Sequence, residues 1–172
     1  MVILMIILRI IHIFSGVFWV GVSFFNIGYL QPTIRATGAE GQKVMQHLTQ
    51  QTRFTAAVYT AATLNLLSGL IMYWIVSGFR PSFMTSGYGL SLTIGGIAGV
   101  IAWVFAIVVI RGILGQMQAI GRAIQAQGGP PTPEQGSALQ ALSGQLVKMG
   151  QWGVVLMIIA LLGMSVGQYA SF

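Results

Sequence analysis

Four stretches of this sequence, about 2–30, 54–77, 88–112 and 150–170, are almost continuously apolar. Each reaches the ~20 residues that an α-helix needs to cross ~30 Å of hydrocarbon. In lipid an unpaired N–H or C=O costs several kcal/mol, so a spanning segment must close its own hydrogen bonds as a helix or join a closed barrel. A barrel would alternate in segments of about ten residues, and these stretches do not. Only 6% of residues are charged, against roughly 25% in soluble domains, so lipid is the solvent this surface suits. The expectation is an all-α integral membrane four-helix bundle, a single domain over residues 1–172.

The breaks between spans carry turn chemistry. Gln31-Pro32 is expected to end the first helix, because the residue before proline avoids the α region. Gly78-Phe79-Arg80-Pro81-Ser82 ends the second, and Gly128-Gly129-Pro130-Pro131 separates the third from the fourth. Thr132-Pro133-Glu134-Gln135 reads as an N-cap, an N1 proline and an acidic first turn. Past Arg111, Ile113, Met117, Ile120 and Ile124 keep a helical period, as do Leu139, Leu142, Leu146 and Met149 before the fourth span. Residues 112–149 are therefore expected to form a helical hairpin standing ~20–25 Å out of the membrane. Residues 43–53 are expected to lengthen the second helix, so that helices 2, 3 and 4 extend beyond the bilayer. The two hairpins have the look of a weak internal repeat.

Charge sets an orientation. Arg35, Lys43, Arg53, Arg111, Arg122 and Lys148 lie in or beside the first and third connections, with only Arg9 and Arg80 toward the other side. The excess of Lys/Arg assigns connections 31–53 and 112–149 to the cytoplasm and both termini to the outside of the cell (inner) membrane. Basic helix ends also account for the +6 charge through anionic headgroups, rather than through nucleic acid. The run from Val2 to Leu8 lacks a basic n-region and a small-residue cleavage site, so it does not read as a cleavable signal. With no cysteine, disulfides and thiolate chemistry are excluded for this sequence.

Small residues recur every fourth position at Ala57, Ala61, Asn65 and Gly69, at Gly95 and Gly99, and at Gly163 and Gly167, spacings that let helix backbones approach. On the first helix Arg9, His12, Gly16, Trp19, Ser23 and Asn26 follow steps of three and four, with Met5 extending the stripe outward. Charged groups within a span are costly and turn toward the bundle or a cavity, so this stripe is expected to face inward.

The residues leave the role of His12 open. One reading is an imidazole hydrogen-bonded to a neighbour such as Asn65 or Ser68. Another is an axial or metal ligand, since neutral imidazole holds many metals and haem irons. In that case Arg9 would pair with a propionate, Gly16 would give a porphyrin face room, Trp19 would flank it, and the iron would be five-coordinate or take a methionine such as Met72 or Met164. No Ser-His-acid set lies within the spans, because Glu40 and Glu134 are both in connections. HExxH, P-loop and GxGxxG motifs are absent. His47 reads as a solvated residue on the basic extension. Met5 and Met84 suggest copper near the outer face, although methionine is also an ordinary bundle filler.

The segment Leu8-Arg9-Ile10-Ile11-His12-Ile13-Phe14-Ser15-Gly16-Val17-Phe18-Trp19-Val20-Gly21 resembles the opening helix of CopD-like membrane proteins, a group that includes the HemJ-type proteins. The shared pattern is a histidine, six residues, then tryptophan and a small residue. Thr63-Leu64-Asn65-Leu66-Leu67-Ser68-Gly69-Leu70 continues it more weakly in the second helix, and so does the basic extension bearing Arg111 and Arg122. The resemblance implies a four-helix core in which His12 binds haem b or lies on a metal path. Tyr88–Thr93 carries neither the histidine nor the lysine found near the start of the third helix in HemJ-type proteins. The expected functions are a haem b protein with a redox or accessory role, a structural or accessory subunit packing against other membrane subunits or its own copies, and copper transport.

Overall fold

The computed structural model describes residues 1–169, which form helices and turns and no strand. Four helical runs among them are long and apolar enough to cross a membrane: Val2–Thr37, Phe54–Ser77, Gly87–Gln127 and Pro133–Tyr169. The chain is an all-α, multi-pass membrane bundle. Residue 170, where the fourth span was expected to end, lies outside the described residues.

The first run consists of α1 (Val2–Phe25), a π-helical turn at Asn26–Leu30, and α2 (Gln31–Thr37). The chain reverses at Gly38, whose φ is 56°, into α3 (Ala39–Gln46) and a second π turn at His47–Gln51. Then come α4 (Phe54–Ser77), the short α5 (Pro81–Met84), and α6 (Gly87–Val104). A third π turn at Phe105–Ile110 carries α6 into α7 (Arg111–Gln127), and α8 (Pro133–Val166) returns through the membrane. The main seams are α1 on α4 and α6 on α8, with α4–α6 and α1–α8 contacts closing the ring. This is an up-down-up-down arrangement in which each membrane helix packs on its sequence neighbours.

The core is thin and built from small side chains. Trp19, Ala61, Ala62, Ala102 and Met157 form its cluster, so all four membrane helices contribute. Lipid provides no hydrophobic drive between helices, and close backbone approach supplies dispersion contacts instead. The α6–α8 seam shows this most clearly: a Cβ at Gly163 would lie 2.8 Å from the Cα of Gly95. Ser91 Oγ also donates to the Gly163 carbonyl there at 2.8 Å. Phe14, Val17, Trp74 and Leu162 point outward from the bundle. The accessible surface is 10754 Å² for 18.4 kDa. A compact soluble monomer of that mass would expose roughly 8,200 Å², so the excess marks an elongated molecule with an apolar perimeter.

Two expectations are corrected. Pro32 does not end the first helix, which runs on to Thr37. The preceding turn widens instead: the Gln31 N–H reaches the Asn26 carbonyl, five residues back. That π turn relieves the clash a proline ring makes with the carbonyl four residues before it. Residues 43–53 do not lengthen the second membrane helix either. Thr52 is extended (φ −112°, ψ 168°), which breaks the backbone between the π turn and α4. Ile34 is buried and the Thr37 side chain crowds Gly41, so α3 folds back on α2 as a hairpin of its own. Helix 1, rather than helix 2, is the one prolonged.

The second hairpin follows the sequence closely. α7 ends at Gly128 in the left-handed region (φ 67°), and α8 begins with a complete capping box. Thr132 Oγ1 accepts from the Gln135 N–H at 3.3 Å, while Gln135 Oε1 accepts from the Thr132 N–H at 2.9 Å. Reciprocal capping of this kind satisfies two otherwise free helix donors. Gln127 joins the tip by donating to Gln135 Oε1 at 3.1 Å.

At the other end, Ser77 organises the turn into α5. Its buried hydroxyl accepts from the Phe79 N–H at 3.1 Å, and its carbonyl accepts from Arg80 Nε at 3.2 Å. Tyr88 and Ser91 lie against Gly167 here, so the last turn of the fourth run sits beside this loop. Both ends of the described chain thus share one end of the bundle. The 38–53 and 128–132 turns occupy the other.

Candidate functional site

The polar groups of α1 and α4 meet where the two helices cross. His12 Nδ1 lies 2.9 Å from the Asn65 carbonyl oxygen. Asn65 Nδ2 donates to the His12 carbonyl at 2.8 Å and lies 3.3 Å from His12 Nδ1. Ser68 Oγ is 3.4 Å from the same ring nitrogen and also donates to Leu64 O at 2.6 Å. The imidazole therefore meets both of the neighbours expected from the sequence. A carbonyl only accepts, so the Asn65 oxygen selects the tautomer with the proton on Nδ1 and leaves a lone pair on Nε2.

Two glycines make the crossing possible. A Cβ at Gly69 would lie 2.9 Å from His12 Cε1, and a Cβ at Gly16 would lie 2.6 Å from Asn65 Nδ2. Each helix thus sinks its polar side chain into a gap that the other leaves open. Further interhelical bonds repeat the theme between α4 and α6. Trp103 Nε1 donates to Thr63 Oγ1 at 3.2 Å, and the hydroxyls of Tyr73 and Thr93 lie 2.7 Å apart. Among the described residues no buried side-chain nitrogen or oxygen lacks a partner.

The first-helix stripe is only partly assembled as expected. His12, Gly16, Ser23 and Asn26 are half-buried, and Trp19 is buried in the Ala-lined core. Arg9 is exposed, which corrects the expectation that it faces the bundle. At about 100° per residue, buried Leu8, Ser15 and Trp19 share one sector, and Arg9 lies about 100° round from its middle. Angle alone does not expel it, since half-buried Gly16 lies within about 20° of Arg9 on the wheel; Arg9 lies beyond the His12–Asn65 crossing, toward the open end of α1.

A porphyrin beside His12 finds little room in this arrangement. Gly16, expected to leave space for its face, is filled by the Asn65 carboxamide. Trp19 is committed to the core, and Arg9 stands on a different flank. The Met164 methyl lies 4.0 Å from the Cβ position of Gly99, in the α6–α8 seam, while Met72 is half-buried on α4. As folded, His12, Gly16, Trp19 and Arg9 do not line one slot. No cluster of three His, Asp or Glu side chains able to hold a metal is found among the described residues. His47 is exposed on the extramembrane segment, as expected of a solvated histidine.

The sequence reading missed the pairing of Gly16 with Asn65. Its signal was present: Asn65 and Gly69 are four apart on α4, matching the four-residue step from His12 to Gly16 on α1. Comparison with protein-family models, curated proteins and solved structures finds no match to this chain.

Proposed function

We propose that this chain is a non-enzymatic accessory subunit of a larger assembly in the cell's inner membrane. The observation that carries this reading is how its interior polar groups are used. His12, Asn65, Thr63, Trp103, Tyr73, Thr93 and Ser91 are all engaged in bonds that hold helix seams together. The thin core and broad apolar perimeter add support, since such a surface suits packing against lipid and other membrane helices. In this reading the two protruding hairpins face the cytoplasm and the termini face outward, in keeping with the Lys/Arg excess on the hairpin side.

Size in a mild detergent, combined with crosslinking in native membranes, tests it. The expected result is a defined species heavier than the 18.4 kDa chain, with crosslinks from both membrane helices and hairpins. A stable lone monomer in both measurements would remove the proposal.

One observation favours a second reading, haem b ligated by His12. Donation of Nδ1–H to a backbone carbonyl is how metal-ligating imidazoles are oriented, and it leaves Nε2 available. The resemblance of residues 8–21 to CopD-like opening helices points the same way. Binding would require Asn65 to leave the Gly16 gap. Protein made with ample haem should then show a Soret band that disappears in His12→Ala; a colourless wild-type protein eliminates this reading.

A further inference from the structure

Arg9 lies inside the first apolar stretch, near its N-terminal end, and the bundle leaves it on its surface. Among the described residues it has no acidic partner: the one ion pair there is Lys43 with Glu40, at the opposite end of the molecule. Arg80, the other arginine at the Arg9 end, is already directed to the Ser77 carbonyl. The depth of Arg9 follows from the α1–α4 register. His12 meets Asn65 and Gly69, so antiparallel counting places Trp74 level with about residues 3–7 of α1. Arg9 thus lies about 3–9 Å below exposed Trp74, at 1.5 Å per residue. Tryptophan at a span end marks the headgroup level.

Helix geometry then aims the guanidinium. Side chains on an α-helix tilt toward its N-terminus, which for α1 is the direction of that headgroup layer. The neighbours on that side are Met5 and Ile6, then Val2 and Met1, and with Arg9 they line a groove of 320 Å³. An apolar wall with a cation at its inner end suits a long arginine stem lying along hydrocarbon with its charge at the interface.

We propose that this groove is a lipid site, in which Arg9 reaches outward along Met5 and Ile6 to the phosphodiester of an anionic phospholipid headgroup, whose acyl chains run inward past Arg9 along exposed Ile13. Charge complementarity selects the ligand class. A planar guanidinium pairs with phosphate through two parallel N–H···O bonds, and phosphodiesters are the anions available at that depth. This site is independent of the accessory-subunit reading, because a monomer would carry it too.

Native mass spectrometry of the detergent-purified full chain, titrated with dioleoyl phosphatidylglycerol, tests the proposal. One lipid should remain bound under conditions that strip the others. Arg9→Gln should weaken its retention about fivefold, Arg9→Lys should keep most of it, and Arg80→Gln should leave it unchanged. Inorganic phosphate alone should show no saturable binding. Equal retention by Arg9→Gln, or phosphate binding as tightly as the lipid, would overturn the site. Should Arg9→Gln fail to fold, a headgroup photocrosslinker decides on the unmodified protein. Labelling within residues 1–16 supports the site, and labelling confined elsewhere refutes it.

Discussion

Asn65 engages His12 twice across the α1–α4 seam: its carboxamide donates to the His12 backbone carbonyl, and its own backbone carbonyl accepts from the imidazole. Asn65→Leu keeps the volume and removes the side-chain bonds. Interhelical hydrogen bonds in membranes average about 0.6 kcal/mol and reach about 1.7, so the expected loss is about 1 kcal/mol. It should appear as a lower thermal midpoint in detergent. Ser68→Ala should matter less, since that hydroxyl is already satisfied within its own helix at Leu64 O. Equal midpoints for Asn65→Leu and wild type would show that the carboxamide bonds contribute nothing. At this scale the sequence was partly legible. A lone histidine in a span must find a polar neighbour, and two of the few candidates were the right ones. Arg9 was misplaced although it lies only about 20° from packed Gly16 on the helical wheel, so spacing alone does not decide burial. A long cation near a span end can also escape to the headgroups rather than turn inward.

Among the elements, the π turn at Asn26–Leu30 explains how a helix runs through proline. Pro32→Ala would restore an N–H at position 32 and remove the ring, so a regular α-helix would serve as well as the widened turn. Hydrogen exchange over residues 31–37 should slow in this variant, while membrane insertion stays as in wild type. Unchanged exchange would mean that the wide turn has another cause. Local rules read the tip of the second hairpin correctly, from Gly128 through Thr132 to Gln135, because capping depends on adjacent residues alone. They failed at Pro32, where a π turn lets the helix continue, and at 43–53, where extended Thr52 separates the segment from α4. Ile34 and Gly41, seven residues apart, hold α3 folded back on α2.

At the scale of the whole molecule, the bundle separates its charge. Arg35, Lys43, Arg53, Arg111, Arg122 and Lys148 belong to the end bearing the two hairpins, and Arg9 and Arg80 to the other. The absence of native cysteine makes this testable with single replacements. Exposed Ser82 and Ser137 mark the two ends. With the hairpins cytoplasmic, a membrane-impermeant maleimide should label Ser82→Cys in sealed cells and reach Ser137→Cys only after the membrane is opened. The reverse pattern would invert the topology. Four crossings and their antiparallel order were legible from hydropathy, because span length is a property of the chain alone. The Gly95, Gly163 and Asn65–Gly69 faces were also legible as packing faces, but which of them meet was not, since Gly, Ala and Ser occur on several faces of every helix.

The reciprocal gaps at the α1–α4 crossing also constrain how this protein can drift. A side chain at position 69 is admissible only if position 12 becomes smaller, and one at position 16 only if position 65 retreats. Inheritance should therefore treat 12 with 69, and 16 with 65, as two linked characters. Lineages that lose the histidine are released to fill the glycine facing it, and lineages that keep it are not.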